Sequence, residues 1–148
     1  MKTILVAIDN CESTTTESPV MQRVCDLAGA FSSKVWLLHV VPESAPMPFN
    51  VDRKLVRGQI ASELRHEHQY LQHLAQCLRD RGIDAHALLR EGATSDMILE
   101  ESERLAADLV VVGSHGHGLL YRALLDGTGE RLLGESTCPV MFVPQHVQ

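Results

Sequence analysis

The segment from Asp108 to Gly129, DLVVVGSHGHGLLYRALLDGTG, contains the residue types best suited to binding an anion. Gly113, Gly116 and Gly118 follow a run of β-branched residues, and an amphipathic helix is predicted from about Thr128. Glycine lets the backbone approach a ligand closely, and the first N–H groups of a helix are unpaired. A strand, a glycine-rich turn and a helix N-terminus together suggest an anion site, although the glycines alone fit a flexible loop equally well.

Two histidines, His115 and His117, alternate with these glycines as an H-x-H pair. Two imidazoles could bind a metal, but the sequence places no third ligand beside them, so a loop histidine near phosphate is favoured. The chain contains no G-x-S-x-G sequence, no G-x-x-x-x-G-K-[ST] sequence and no paired carboxylates beside a base. The sequence therefore predicts no efficient catalysis.

The elements that must position this segment are predicted from hydrophobic periodicity. Fully apolar runs predict buried strands, and a weak alternation of apolar and polar residues predicts an edge strand. Between these strands, apolar residues recur with helical spacing, which predicts helices. The predicted strands are Ile4–Ile8, Val35–Val41, Ile83–Leu89, Leu109–Val112 (ending at Gly113) and Val140–Val143. Strands that alternate with helices predict an α/β fold with a parallel sheet covered by helices on both faces.

A ligand site is predicted where the two most apolar strands, Ile4–Ile8 and Leu109–Val112, end. These strands should be adjacent and central, and open parallel sheets bind ligands beyond the carboxyl ends of their strands. Asp9 follows the first strand, and Gly113-Ser114 follow the second. A carboxylate opposite a glycine-rich helix N-terminus suits a nucleotide. The glycine loop would bind the phosphates, and the carboxylate would bind the adenine, the ribose or a metal.

Composition limits the remaining classes of function. The 148 residues, 45% of them apolar, suffice for one domain, predicted over residues 1–148. A net charge of −6 argues against a nucleic-acid partner, and no apolar run is long enough to span a membrane. The N-terminus enters a predicted strand at once, so we expect no signal peptide. The four cysteines are scattered, so we expect free thiols and a cytoplasmic location.

The chain resembles the universal stress protein family over essentially its whole length. The resemblance rests on ILVAID near the start, VWLLHVV, ADLVVVGSHGHG and CPVMFVP, which come in the order and spacing of the family. It implies a single doubly wound domain with a five-stranded parallel sheet of order 3-2-1-4-5.

The resemblance also implies binding of ATP or AMP, because many members bind ATP through G-x2-G-x9-G-[S/T]. Gly113 and Gly116 fit the first two positions of that pattern. The third position is Asp126, and a Gly-Thr pair follows one residue later at Gly127-Thr128. Either the loop accommodates one extra residue, or the Asp126 carboxylate occupies the phosphate pocket; Asp126 could instead bind Mg²⁺.

Through this resemblance we predict contacts to the nucleotide from the strand ends and the glycine loop. Asp9, with Val40 or Val41, is expected to lie beside the adenine. The full predicted set is Ala7, Ile8, Asp9, Val40, Val41, Val112, Gly113, Ser114, Gly116, His117, Gly118, Gly127, Thr128 and Gly129.

The leading hypothesis is a stress-response module that binds ATP or AMP and changes a protein partner or its oligomeric state. The alternative is a nucleotide-free dimer that acts as an interaction scaffold, and a slow ATPase is the third possibility. In family members the last strand pairs with its copy, which predicts a homodimer through Val140, Met141, Phe142 and Val143.

Two further segments are predicted to be structural. His39 lies within an apolar strand and is predicted to be a core histidine. The segment 65–73, RHEHQYLQH, is predicted to be a solvated helix face.

Overall fold

The computed structural model of this chain describes residues 1–8, 15–41, 52–114 and 128–144. Strands and helices alternate along the chain, as the sequence predicts. The elements are β1 (Thr3–Ala7), α1 (Pro19–Phe31), β2 (Lys34–Val41), α2 (Arg53–Asp80), β3 (Ala85–Glu91), α3 (Thr94–Arg104), β4 (Leu109–Ser114), α4 (Thr128–Glu135) and β5 (Val140–Pro144).

The five strands form one parallel sheet in the order β3-β2-β1-β4-β5, which confirms the predicted fold class and strand order. The strand β1 is central because it pairs with β2 on one side and with β4 on the other. Ala7, its last residue, lies opposite Leu38 in β2 and opposite Val112 in β4. The reversal of strand order therefore falls between β1 and β4.

Helices cover both faces of the sheet, again as predicted. Alternate residues of the central strands point to opposite faces, so Ile4 and Val6 pack with α1 and α2, while Leu5 and Ala7 pack with α3 and α4. Each face is apolar because β1 contains no polar residue after Thr3 and β4 contains none before Ser114. This burial on two sides explains why the sequences of these strands are continuous apolar runs.

The predicted fourth strand, Leu109–Val112, ends two residues before the strand in the structure does. The strand β4 continues through Gly113 to Ser114, opposite Val143 and Pro144 of β5. Glycine has a low intrinsic strand preference, but pairing with a neighbouring strand overrides it. Gly113 is therefore part of the strand rather than of the predicted turn.

The edge strand β3 begins and ends two residues later than predicted. Ile83 does not join the strand because its backbone N–H donates to the Leu78 carbonyl and helps to end α2. At the other end β3 continues to Glu91, which lies opposite Val41. The prediction that this strand lies at a sheet edge is confirmed.

A buried ion cluster joins the edge strand β3 to α3. The carboxylate of Glu101 is fully buried and pairs with Arg90 of β3 and with Arg104 of its own helix, at 2.7 Å from the Arg104 Nε atom. Arg90 also donates to Glu100 at 3.2 Å. These carboxylates raise the pKa of Arg90, with the Glu100 hydrogen bond as the largest cause.

One further contact lies at the amino end of β1, and another lies at the outer edge of the sheet. The Asp108 carboxylate accepts hydrogen bonds from the backbone N–H groups of Lys2 and Thr3, at 2.7 and 3.0 Å. At the outer edge, the ring of Trp36 in β2 stacks on His86 in β3, with ring centres 4.7 Å apart.

Within the residues that the structure describes, no helix is long and apolar enough to cross a membrane. Cys25, Cys77 and Cys138 are free thiols, as predicted for these three cysteines.

Candidate functional site

The carboxyl ends of β1 and β4 lie side by side at the point where the strand order reverses. Ala7 is opposite Val112, so Ile8 leaves the sheet beside Gly113. This is the crevice in which doubly wound sheets bind ligands. The sequence prediction that these two strand ends meet is therefore confirmed.

The side chains of several predicted contact residues are not available to a ligand. Ala7, Val40 and Val112 pack in the core beneath α3 and α4, and Ile8 packs in the core on the opposite face. These four residues can therefore present only backbone atoms to the crevice. The backbone N–H of Ile8 already donates to the Leu38 carbonyl at 2.8 Å.

The remaining strand ends at the crevice offer small or half-buried groups. Val41 is half-buried at the end of β2, and its carbonyl accepts a hydrogen bond from Gly92 at 2.9 Å. Gly113 is buried in the sheet, and Ser114 ends β4. A glycine at this position leaves room for a ligand close to the backbone.

The helix α4 begins at Thr128, followed by Gly129, which agrees with the predicted helix start. Its first turn is joined to α3, because Arg131 pairs with Asp96 in the first turn of that helix. Arg131 also donates to Glu135 at 2.9 Å, and the pKa of Arg131 is raised by Glu135 first and by Asp96 second. These ion pairs fix the start of α4 relative to α3.

Several predicted site residues lie outside the described residues. They are Asp9, Gly116, His117, Gly118, Asp126 and Gly127, together with His115. The predicted contacts of these residues stay predictions. In the described ranges, no cluster of three or more histidine, cysteine or acidic side chains could hold a metal ion.

His39 is a core histidine, as predicted, and it contacts the end of β1. It is 7% exposed, and its Nδ1 atom lies 2.8 Å from the Ile8 carbonyl oxygen. Its Nε2 atom lies 3.6 Å from Oε2 of Glu67 on α2. That Glu67 oxygen is buried and has no hydrogen-bond partner among the described residues.

The part played by Glu67 was not predicted from the sequence, because segment 65–73 was interpreted as solvated. That interpretation holds for exposed members such as Arg65 and His73, but Glu67 is half-buried. A signal was present: Glu67 precedes Leu71 by four residues and Leu74 by seven, which places it on the buried stripe of α2.

A separate groove of about 550 Å³ lies between α2 and the edge strand β3. It is lined by Leu64, Arg65, His68, Gln69 and Ala87–Leu89. Because β2 separates β3 from β1 and β4, this groove is distinct from the predicted site.

The sheet order defines a doubly wound α/β protein, a class in which ligands bind at the switch point of the strand order. The family model described as "Universal stress protein family" matches residues 1–144. The chain belongs to the universal stress protein family.

Curated relatives and solved structures agree with this family. The Universal stress protein A homolog 1 of Coxiella burnetii is 30% identical over 149 residues, which cover 96% of this chain and 95% of the relative. The universal stress protein UspA structure from Lactobacillus plantarum is 18% identical, with a TM-score of 0.72, and the match covers 96% of this chain and 97% of that one.

Two other similar structures contain an adenine nucleotide. A universal stress protein from Archaeoglobus fulgidus in complex with dAMP is 14% identical, with a TM-score of 0.63, over 97% of this chain and 98% of that one. An Arabidopsis thaliana member with AMP bound is 20% identical, with a TM-score of 0.58, over 99% of this chain and 93% of that one. At these identities the likeness shows a shared fold.

Proposed function

We propose that this protein is a stress-response module that binds an adenine nucleotide, AMP or ATP, in the crevice between β1 and β4. The single observation that carries the proposal is the pairing of the carboxyl end of β1 with β4, with Ala7 opposite Val112, at the switch point of the sheet. The AMP and dAMP complexes of similarly folded proteins support the choice of ligand.

The two central strands would supply the base end and the phosphate end of the site. Asp9, directly after Ile8, would accept a hydrogen bond from the adenine or the ribose. Gly113, Gly116 and Gly127 would bring backbone N–H groups close to the phosphates, with the start of α4 at Thr128 behind them. Asp126 would turn away from the phosphates or bind Mg²⁺.

The proposed activity is regulatory rather than catalytic. Nucleotide binding would change the contacts that the protein makes with itself or with another protein, in the cytoplasm. Only the similarity of the fold supports a slow ATPase activity.

The experiment that tests this function begins with protein freshly purified under native conditions. The protein is denatured, and any released small molecule is identified by mass; calorimetry then measures AMP and Mg²⁺-ATP binding to the nucleotide-free protein. Released or titrated adenine nucleotide at a ratio near one per chain supports the proposal. No release and no binding would refute it.

A second candidate function, the nucleotide-free dimeric scaffold, is favoured by Asp126, which stands where the family pattern has glycine. In this case β5 would pair with its copy through Val140–Val143. The position of β5 as the last strand of the sheet supports such pairing, since an edge strand can add a strand from another chain.

A further inference from the structure

Beneath the proposed adenine end, an imidazole joins three elements of the fold. The ring of His39, on β2, lies between the last carbonyl of the β1 segment and a carboxylate of α2. The ring is almost fully buried, so water cannot readily replace either contact.

The direction of the first contact is fixed by the chemistry of the acceptor. A backbone carbonyl can only accept a hydrogen bond, so the Nδ1 atom of His39 must carry the proton that lies 2.8 Å from the Ile8 oxygen. This bond is made at the residue that precedes Asp9. It therefore fixes the direction in which the chain leaves β1.

The second contact depends on a second proton. In a neutral ring with the proton on Nδ1, the Nε2 lone pair would face the Glu67 carboxylate at 3.6 Å, and both groups would be acceptors. With protons on both nitrogens, the imidazolium would pair with Glu67 and satisfy a buried oxygen that otherwise has no partner in the described residues. The doubly protonated ring therefore suits both neighbours.

We infer that His39, oriented by Glu67, is a positioning residue of the nucleotide site: its contact holds the Ile8 carbonyl at the carboxyl end of the first strand, beside the proposed site, and this contact is strongest when the ring carries both protons. The consequence for the ligand rests on the proposed function, whereas the contact itself does not.

The surroundings of His39 make Glu67 the group to test. Within the ranges that the structure describes, Glu67 of α2 is the charged group in contact with the ring, and β1 contributes the neutral Ile8 carbonyl. The core on this face is otherwise built from apolar residues of α1, α2 and the strands. His68, the neighbour of Glu67, lines the groove toward β3 instead.

Three substitutions separate the proposed role from simple loss of packing. His39→Asn keeps a side-chain amide that can donate to Ile8 but cannot titrate. Glu67→Gln keeps the shape of the side chain and can donate to a neutral Nε2 atom. Glu63→Gln, at an exposed position of the same helix, removes the same charge away from the ring and is the matched control.

AMP is titrated calorimetrically into the wild type and the three variants at pH 6 and pH 8, a range in which imidazoles change charge. The AMP phosphate also titrates near this range, but its effect is common to all four proteins and cancels when they are compared. The wild type and Glu63→Gln should lose affinity between pH 6 and pH 8 by roughly 3- to 10-fold more than His39→Asn and Glu67→Gln.

A second measurement does not need the nucleotide. The nitrogen chemical shifts of the His39 ring in the free protein should show that Nδ1 carries a proton at both pH values. An unprotonated Nδ1 atom would exclude the Ile8 contact and overturn the inference.

Equal pH dependence of AMP affinity in all four folded proteins would also overturn the positioning role. Should no protein bind AMP at either pH, the proposed function fails and the role in the site fails with it, while the ring shifts still decide the contact with Ile8. Should His39→Asn fail to fold, Glu67→Gln against Glu63→Gln gives the same comparison.

Discussion

The fully buried carboxylate of Glu101 accepts a hydrogen bond from the Arg104 Nε atom at 2.7 Å and also pairs with Arg90 of the edge strand. Removing one partner of a buried ion cluster is costly because the remaining charges lose their compensation. We expect Glu101→Gln to lower the free energy of unfolding by about 3 kcal/mol in urea titrations. Glu103→Gln removes the same charge at an exposed position of the same helix, outside the ion cluster, and should change it by less than about 0.5 kcal/mol. Equal effects of the two substitutions would contradict a structural role for the buried pair.

Acid should weaken the contact between Asp108 and the first strand. The backbone N–H groups of Thr3, and then of Lys2, lower the pKa of Asp108 below its ordinary value of 3.8. A lowered pKa in the folded state stabilises the protein above pH 3.8, and this stabilisation is lost as the pH falls through the lower folded value. Wild type should therefore be more stable than Asp108→Asn at pH 6, and the difference should shrink below about pH 4. Asp26→Asn, at an exposed site on α1, is the control, and a constant difference across this range would contradict the assignment.

The substitution Asp9→Ala tests the proposed adenine end. Loss of one hydrogen bond to a charged group should weaken AMP binding by about 1–3 kcal/mol, measured by calorimetry. Asp26→Ala removes an exposed acid away from the crevice and should bind AMP like the wild type. Unchanged affinity in Asp9→Ala would remove Asp9 from the site.

The substitution Asp126→Gly separates the two registers of the phosphate loop. If the loop accommodates one extra residue, Gly127 and Thr128 face the phosphates, and Mg²⁺-ATP binding should change little. If Asp126 occupies the phosphate pocket, its charge repels ATP by about 1 kcal/mol or more, and binding should appear only in the variant. Asp126→Asn distinguishes the effect of charge from that of size. Binding confined to Asp126→Gly would leave the scaffold as the function of the natural protein.

The predicted homodimer can be tested at the edge strand β5. The wild type should scatter light as a dimer of the 16.4 kDa chain at micromolar concentration. Met141→Lys should yield monomers, because pairing across a two-fold axis brings the two charges together at the centre of the joined strands. Met141→Leu keeps the apolar side chain and should remain dimeric. A monomeric wild type would contradict the proposal.

The centre and one edge of the sheet could be predicted from the sequence pattern, because burial on two sides produces continuous apolar runs; the full strand order was implied by the family resemblance. The runs Ile4–Ile8 and Leu109–Val112 are apolar throughout, whereas Ile83–Leu89 contains polar residues, which separates the centre of the sheet from its edge. The exact strand ends could not be predicted, since Gly113 joins β4 only through its pairing with β5.

The candidate site could be predicted in position but not in detail. That the carboxyl ends of β1 and β4 are neighbours follows from the order of the parallel strands, and the register places Ala7 opposite Val112. The contact between His39 and Glu67 joins residues 28 positions apart and depends on how α2 packs across the sheet, which no local pattern specifies.

The stacking of Trp36 on His86 gives this protein an intrinsic optical reporter, because the chain contains one tryptophan. Its fluorescence arises at the seam between β2 and β3, on the opposite side of β1 from β4. An emission change on denaturation therefore reports separation of the outer strand, and circular dichroism reports the helices of the whole chain. Disagreement between the two signals would reveal that β3 detaches before the rest of the molecule unfolds.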